Sequence, residues 1–255
     1  MLSVNNMNKS IFRKILFYIS VPKCVACYEK LDIDDEALCK KCAPEYEEVK
    51  LRNCSRCAKP LDECSCSNEF LENHYTKKLI KVFRYVQHHE NITSNRLIYS
   101  LKRDNRDDVL KFLTAELSRA VRNSIENPKM YVITSVPRRR RAVIKFGIDH
   151  AKLLGKALAK ELGCEYATLL KSKSKRAQKT MHGEERITNA EFDIKDKNLT
   201  GMRIIIVDDI LTTGASLGSC AALLHSCGAK ETVGAVLSVA YKDKYTPFAF
   251  VPAIR

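Results

Sequence analysis

The second half of the chain alternates between short apolar runs and segments with helical spacing. Apolar runs over Met130–Val136, Met202–Val207 and Thr232–Ala240 predict buried strands. The spacing of apolar residues over Ile148–Leu162 and Ala215–Cys227 predicts helices, and a glycine follows each of them. This order of strands and helices predicts an α/β fold, with a parallel sheet covered by helices on both faces.

A mixed region precedes this alternation. Lys81–Gln87 alternates apolar and polar residues well enough to predict a strand. Asn95–Leu101 and Asp107–Arg122 have helical spacing, and Asn127-Pro128 ends the second of these helices. The apolar stripe of the second helix consists of Val109, Leu110, Leu113, Leu117 and Val121.

The N-terminal region over residues 22–67 contains few large apolar residues but eight of the 11 cysteines of the chain. Such a segment cannot bury a core of its own and needs disulfide bonds or a bound metal ion to stabilise it. The cysteines form close pairs: Cys24 and Cys27, Cys39 and Cys42, Cys54 and Cys57, Cys64 and Cys66. C-x2-C turns present two sulfurs to one tetrahedral ion, so we predict zinc bound by four thiolates in each of two sites.

The spacing leaves open whether the pairs combine sequentially or interleave. It also leaves open whether the chain binds one zinc ion or two, because the two cysteines of the C-x-C pair are closer together in the chain than those of a C-x2-C pair. An iron–sulfur cluster would also use four cysteines, but the even spacing favours zinc. A site filled by thiolates has no free position for catalysis, so its expected role is structural or in recognition.

Composition sets the class of protein. The 255 residues are 45% hydrophobic, as in a globular protein, and the net charge of +14 points to anionic partners such as phosphorylated molecules or nucleic acid. No stretch reaches the ~20 apolar residues that span a bilayer. Ile11–Val21 is interrupted by charges and is interpreted as a short amphipathic helix, not a signal peptide. Without a signal peptide or a span, a reducing, cytoplasmic compartment is expected, and there cysteine pairs bind metal more often than each other.

A short acidic and hydroxyl-rich motif follows the Met202–Val207 run. In parallel sheets ligands bind at the carboxyl ends of strands, so Asp208 and Asp209 are expected at the mouth of a site, where two carboxylates can accept hydrogen bonds from the vicinal hydroxyls of a ribose. Backbone N–H groups at the start of the next helix and nearby hydroxyls suit a monophosphate. That phosphate loop consists of Thr212, Thr213, Gly214, Ala215 and Ser216.

The whole string from Ile204 to Ser216 resembles the motif by which type I phosphoribosyltransferases bind phosphoribosyl diphosphate (PRPP). Over most of the chain the resemblance narrows to the ComF family of competence-related phosphoribosyltransferases. The residues that carry it are the cysteine pairs, Ser100–Asp104, Val136-Pro137 before a run of arginines, Phe146–Ala151, Gln178 and Glu185–Asn189.

The resemblance implies a type I phosphoribosyltransferase-like sheet with a small N-terminal zinc-ribbon domain. We expect an N-terminal helix or extension over residues 1–21, the zinc ribbon over 22–67 and the phosphoribosyltransferase-like domain over 68–255. Within that domain, 68–129 would form a strand and helix subdomain and 130–240 the PRPP-binding core.

The resemblance also implies further site residues. Arg138, Arg139 and Lys145 would hold the diphosphate, since a guanidinium grips phosphate oxygens through parallel hydrogen bonds. Arg176, Gln178 and Arg186 would belong to a flexible loop that closes over PRPP. His150 lies in a family-like motif and could face the site.

Two functions are weighed. The first is an Mg²⁺-dependent enzyme that transfers the ribosyl phosphate of PRPP to an unknown acceptor. The second is a non-catalytic protein that handles single-stranded DNA during natural transformation, with competence helicases or DNA-processing proteins as partners. The sequence leaves the acceptor, retention of catalysis, DNA binding and homodimer formation open.

Overall fold

The computed structural model describes residues 22–86, 92–104, 106–138, 147–173, 192–195 and 198–241. The predicted helix within residues 1–21 lies outside this set. Among the described residues, no helix is both long and apolar enough to cross a membrane.

The helices and strands that the periodicity predicted are present, with ends that differ by up to four residues from the predicted ones. The strands are β1 (Lys78–Val86), β2 (Tyr131–Ser135), β3 (Glu165–Tyr166), β4 (Leu170–Ser172), β5 (Phe192–Ile194), β6 (Arg203–Leu211) and β7 (Glu231–Tyr241). The helices are α1 (Ala43–Lys50), α2 (Glu69–Asn73), α3 (Thr93–Arg103), α4 (Asp107–Ser124), α5 (His150–Leu162) and α6 (Ala215–Ser226). Short 3-10 turns cover Leu61–Glu63 and Pro128–Met130.

Five strands form one sheet in the order β1-β7-β6-β2-β3, and every neighbouring pair is parallel. β4 and β5 form a separate antiparallel pair. The predicted α/β fold with a parallel sheet between helices is therefore confirmed.

The two faces of the sheet are seen most clearly on β6. Ile205 and Val207 belong to one buried apolar cluster, together with residues of α3, α4 and α5. Ile204 and Ile206 belong to a second cluster, together with residues of α6, β4 and β5. Successive side chains of a strand point to opposite faces, so a strand buried on both faces needs an unbroken apolar run.

Residues around the first four cysteines pack into the first of these clusters. Leu31, Leu38 and Tyr46 are at most 6% exposed and belong to the same cluster as Phe83 and Leu117. The Tyr46 hydroxyl donates a hydrogen bond to Glu116 of α4 at 2.9 Å. This N-terminal segment therefore shares its apolar core with the sheet.

Candidate functional site

The acidic pair lies inside β6, which continues to Leu211. The sequence pattern predicted that this strand would end at Val207. It continues because β7 pairs alongside it through Asp208↔Val236 and Leu211↔Val239. The alternation of a strand therefore places the two carboxylates on opposite faces of the sheet, unlike the adjacent pair expected from the sequence.

Asp209 is held by two cations. Its carboxylate is 6% exposed, forms an ion pair with Arg138 just after β2, and lies 3.3 Å from the Lys102 ammonium of α3. Burial next to two cations keeps the carboxylate charge compensated. The structure thus brings together Asp209 and Arg138, which the sequence predicted, and adds Lys102.

His150 lies at the start of α5 and is fully buried. Burial lowers the pKa of its imidazole, and the positive charge of Arg138 lowers it further. The neutral form is therefore favoured next to the Arg138 and Asp209 pair. The expectation that this histidine faces the site agrees with its electrostatic contact with both residues.

Asp208 is half-buried and experiences the opposite environment. Burial, followed by the nearby charge of Asp209, raises the pKa of the Asp208 carboxyl above its ordinary range. Its neighbours Arg138 and Lys102 offset this only in part. The acidic pair therefore divides into one compensated carboxylate and one carboxyl that retains its proton more readily.

The predicted phosphate loop joins β6 to α6. Thr212, Thr213, Ala215 and Ser216 are exposed, so their hydroxyls and N–H groups are accessible to an anion. Gly214 immediately precedes the helix with φ +89°, a conformation that favours glycine. The N-terminus of α6, where the Ala215 N–H donates to the Thr213 hydroxyl at 3.3 Å, is therefore presented to solvent with its dipole at the carboxyl end of the central strand.

Gly214 is also required for packing. A Cβ atom added there would lie 3.0 Å from Cγ of Leu71, a fully buried residue of α2. Asn68 caps α2 by accepting a hydrogen bond from the Leu71 N–H at 2.8 Å. The short helix α2 thus forms the floor beneath the loop, which the sequence analysis did not predict.

Five predicted site residues lie outside the described residues: Arg139, Lys145, Arg176, Gln178 and Arg186. Lys102 is a site residue that was not predicted from the sequence. Lys102 stands in the Ser100–Asp104 motif that supported the family resemblance, so the signal was present in the sequence. Only the fold shows that this motif reaches the acidic pair.

The eight N-terminal cysteines form two separate groups. Cys24, Cys27, Cys39 and Cys42 place their sulfur atoms within 4.8 Å of one another, and Cys54, Cys57, Cys64 and Cys66 do the same. The pairs therefore combine sequentially, which answers the question that spacing left open. Each group could hold one metal ion in a four-sulfur site.

The two groups are built on the same turn. In the first knuckle (residues 23–30) the Tyr28 N–H donates to the Cys24 carbonyl at 2.9 Å, and Tyr28 has φ 63°. In the second knuckle (residues 53–60) Ala58 donates to Cys54 at 2.9 Å with φ 58°. An antiparallel bridge closes each knuckle. The sequence analysis found the cysteine pairs but not this structural repeat.

The surroundings of the sulfur atoms fit a bound cation. Burial alone would raise the pKa of Cys24, but hydrogen bonds from the backbone of Cys27, Cys39 and Ala26 outweigh burial and lower the pKa to about 7. In the second group, backbone hydrogen bonds likewise overcome burial and lower the pKa of Cys54 to about 6. Cys24 and Cys54 are therefore the thiols of their groups that most readily become thiolates, the form that binds metal. Burial and the neighbouring sulfurs raise the pKa of Cys42 and Cys66 instead.

The second group has an additional buried cation. Lys81 of β1 is 6% exposed, and its ammonium donates to the Cys64 sulfur at 3.2 Å and to the Cys66 carbonyl at 2.8 Å. A lysine buried in this way needs a negative partner. Its position indicates an anionic, thiolate-rich site beside it.

Comparison with known proteins gives consistent matches. The family profile described as "Phosphoribosyl transferase domain" matches residues 150–248. Competence protein ComFC of Streptococcus pneumoniae is 26% identical over 202 residues, which cover 78% of this chain and 86% of the relative. DNA utilization protein YhgH of Salmonella typhi is 25% identical over 214 residues, covering 81% and 92% respectively.

One of the relatives is named as a phosphoribosyltransferase enzyme. Adenine phosphoribosyltransferase of Mycolicibacterium smegmatis is 30% identical over 165 residues, which cover 60% of this chain and 88% of the relative. The similarity to the competence proteins spans most of the chain. The profile match covers α5, β6, α6 and β7, which carry the acidic pair and the phosphate loop.

Proposed function

Because the chain belongs to the ComF family of phosphoribosyltransferase-like proteins, we propose that it binds PRPP at the carboxyl end of β6 and transfers the ribosyl phosphate to an acceptor. One observation carries this proposal: an acidic pair on the central strand leads directly into a glycine turn and an exposed helix N-terminus. A ribose 5-phosphate offers hydroxyls to the acidic pair and its phosphate to the helix N-terminus.

The parts of the ligand then correspond to different elements. The 5-phosphate occupies the loop from Thr212 to Ser216, and the ribose hydroxyls lie next to Asp208. The diphosphate lies near Arg138, together with Arg139 and Lys145. Arg138 and Lys102 already concentrate positive charge at this edge of the sheet, which favours an anionic ligand.

The proposed transfer is a displacement at the anomeric carbon. The acceptor's lone pair forms the new bond, the bond to the diphosphate oxygen breaks with its electron pair, and the acceptor releases a proton. Mg²⁺ bound with PRPP would neutralise the diphosphate. Closure of a loop carrying Arg176, Gln178 and Arg186 would exclude water.

The cysteine groups serve a structural purpose in this proposal. Each group binds one Zn²⁺ through its four sulfurs, which lie within 4.8 Å of one another. A zinc ion with four thiolate ligands has no position left for a substrate. Free thiols of this kind persist in a reducing compartment, so the proposed location is the cytoplasm.

The proposal is tested by thermal unfolding with PRPP and MgCl₂. Ligand at a hundredfold excess over its Kd stabilises the folded state by about 2.7 kcal/mol, which raises Tm by about 5 °C or more in a domain of this size. Asp208→Asn removes the shift. Asp107→Asn, an exposed carboxylate on α4, retains it and controls for the charge change.

Inorganic diphosphate is the second control, because it lacks the ribose and 5-phosphate. A shift with diphosphate equal to that with PRPP contradicts recognition of the ribosyl group. A shift that survives in Asp208→Asn contradicts the assignment of the acidic pair.

The names of the relatives favour a second candidate. They include competence proteins and a DNA utilization protein, and the net charge of +14 suits a polyanion. This candidate is a protein that handles single-stranded DNA, with or without transfer. Binding of a labelled single strand at 150 mM salt, with affinity that falls as salt rises, tests it.

A further inference from the structure

A cleft of about 260 Å³ lies between the first knuckle and α3, outside the proposed PRPP site. Its walls include Tyr28 of the knuckle and Arg96, Tyr99 and Arg103 of α3. Asp104 and Arg106, which lie between α3 and α4, line one end of the cleft. The cleft therefore combines aromatic rings with guanidinium groups.

The residues from α3 form one face of that helix. Arg96, Tyr99 and Arg103 follow the spacing i, i+3, i+7, which places them on one side of a helix. The Arg103 guanidinium carbon lies 5.3 Å from the Tyr99 ring centroid, and that of Arg96 lies 5.7 Å from the Tyr28 ring centroid. Each arginine is thus positioned beside a ring.

Tyr28 occupies an unusual position for an aromatic residue. Its φ of 63° is the left-handed conformation, which is unfavourable for bulky side chains, and it is 64% exposed. The corresponding position of the second knuckle is Ala58. The turn itself therefore does not require a ring, and the exposed ring of Tyr28 calls for another role.

The knuckle is fixed relative to the helices. The Arg106 guanidinium donates to the Lys23 carbonyl at 2.7 Å and forms an ion pair with Asp108 of α4 at 2.5 Å. One wall of the cleft, which carries Tyr28, is thereby attached to the other. The spacing of the rings and guanidiniums is consequently preorganised.

We propose that this cleft binds a nucleotide unit of a single-stranded nucleic acid. The base stacks on Tyr28, and the flanking phosphates pair with Arg96 and Arg103. Stacking on aromatic rings together with cationic contacts to phosphates is how proteins bind single strands without reading their sequence. The Asp104 carboxylate can accept a hydrogen bond from a base N–H.

This cleft is a different site from the PRPP loop, although it gives the second candidate function a location. A free nucleotide offers the same base and phosphate as a strand. The experiment therefore measures fluorescence anisotropy of a labelled 15-nucleotide oligo-dT, and separately titrates dTMP by calorimetry, both at 150 mM salt.

Two variants report on the cleft. Tyr28→Asn removes the ring but suits the left-handed backbone, and Arg103→Gln removes one charge. Stacking of one base on an aromatic ring predicts at least about a fivefold loss of affinity for Tyr28→Asn. Arg103→Gln weakens binding and reduces the salt slope by about one. Lys111→Gln, an exposed residue of α4, is the charge-matched control and binds like wild type.

The outcomes separate this proposal from the others. If both variants bind oligo-dT and dTMP as tightly as wild type, or wild type binds neither, the cleft proposal is wrong. Sensitivity of oligo-dT binding to both variants supports the bound strand. Sensitivity of dTMP binding alone contradicts it and indicates a site for a free nucleotide. We expect both variants to show the same rise in Tm with PRPP as wild type. A failure of the PRPP proposal would instead appear as the absence of this rise in wild type.

Discussion

At the scale of single residues, the acidic pair shows how one strand gives two neighbouring aspartates different chemistry. Asp209 forms ion pairs with Arg138 and Lys102, whereas burial and the charge of Asp209 dominate the surroundings of Asp208. A sequence motif shows the two residues as equivalent. Their difference depends on the exact strand end and on cations that come from distant parts of the chain, so it was not predictable from the motif.

The first prediction concerns the stability of Asp208→Asn without ligand. Because the folded-state pKa of Asp208 is raised, its stabilising contribution is complete below the unfolded pKa near 4 and is lost as pH rises through the folded pKa. We therefore expect Asp208→Asn to unfold at a higher temperature than wild type near pH 8, by about 2 °C or more. The difference shrinks towards about pH 5.

Differential scanning calorimetry across this pH range is the measurement. A Tm difference that is constant with pH would contradict the raised pKa. The same variant is expected to lose the response to PRPP, so a stabilised but unresponsive protein would show that the loss is not caused by unfolding.

At the scale of elements, apolar periodicity predicted the long helices and the central strands. It predicted α4 from Asp107 correctly and extended β2 by one residue beyond its ends at Tyr131 and Ser135. It missed β3, β4 and β5, since two or three residues are too few to show a period. Periodicity did not indicate the cleft face of α3, because the predicted helix ended at Leu101, before Arg103, and only the fold shows what lies opposite.

The second prediction concerns the contact between β1 and the second cysteine group. Lys81→Met removes the buried ammonium that donates to Cys64. Outer partners of metal ligands typically change metal affinity by about 10–100-fold. We expect faster release of one of two zinc ions to a chromogenic chelator, while the other is released at the wild-type rate.

Lys78→Met is the matched control. Lys78 lies on the same strand and bridges to Cys66 through its backbone, but its side chain is exposed. Equal release rates in both variants would show that the ammonium of Lys81 has no part in holding the metal.

At the scale of the whole molecule, the two cysteine groups differ in their connection to the core. Val25, Leu31 and Leu38 around the first group belong to the large apolar cluster beneath the sheet. Cys64 and Leu61 of the second group are buried outside that cluster. The composition of residues 22–67 correctly indicated a segment unable to form its own core, but could not indicate that it shares one.

The third prediction follows from this difference. Cys27 and Cys57 are exposed and occupy the same position in the two knuckles. Cys27→Ser is expected to lower Tm of the whole protein by about 4–8 °C, equivalent to about 2 kcal/mol in a domain of this size. Cys57→Ser is expected to have a smaller effect, because fewer core contacts depend on it.

Thermal melts with metal content measured for each variant check this prediction. Equal losses of stability with equal loss of metal would contradict the shared core. A wild-type protein that purifies without zinc would contradict the metal assignment itself.

The pairing of β1 with β7 has a consequence for how the protein is made. Lys78 pairs with Val233, so the edge strand next to the cysteine block gains its neighbour only when almost all of the chain has been synthesised. Contacts between such distant segments form slowly. Until β7 pairs with β1, the unpaired edges of the strands are prone to aggregate. The knuckles, by contrast, close through bridges between residues only seven positions apart, Lys23 with Lys30 and Asn53 with Pro60. Closure of the knuckles therefore does not depend on β7, whereas the apolar core that the first knuckle shares with the sheet includes Val233 and forms only when β7 is present.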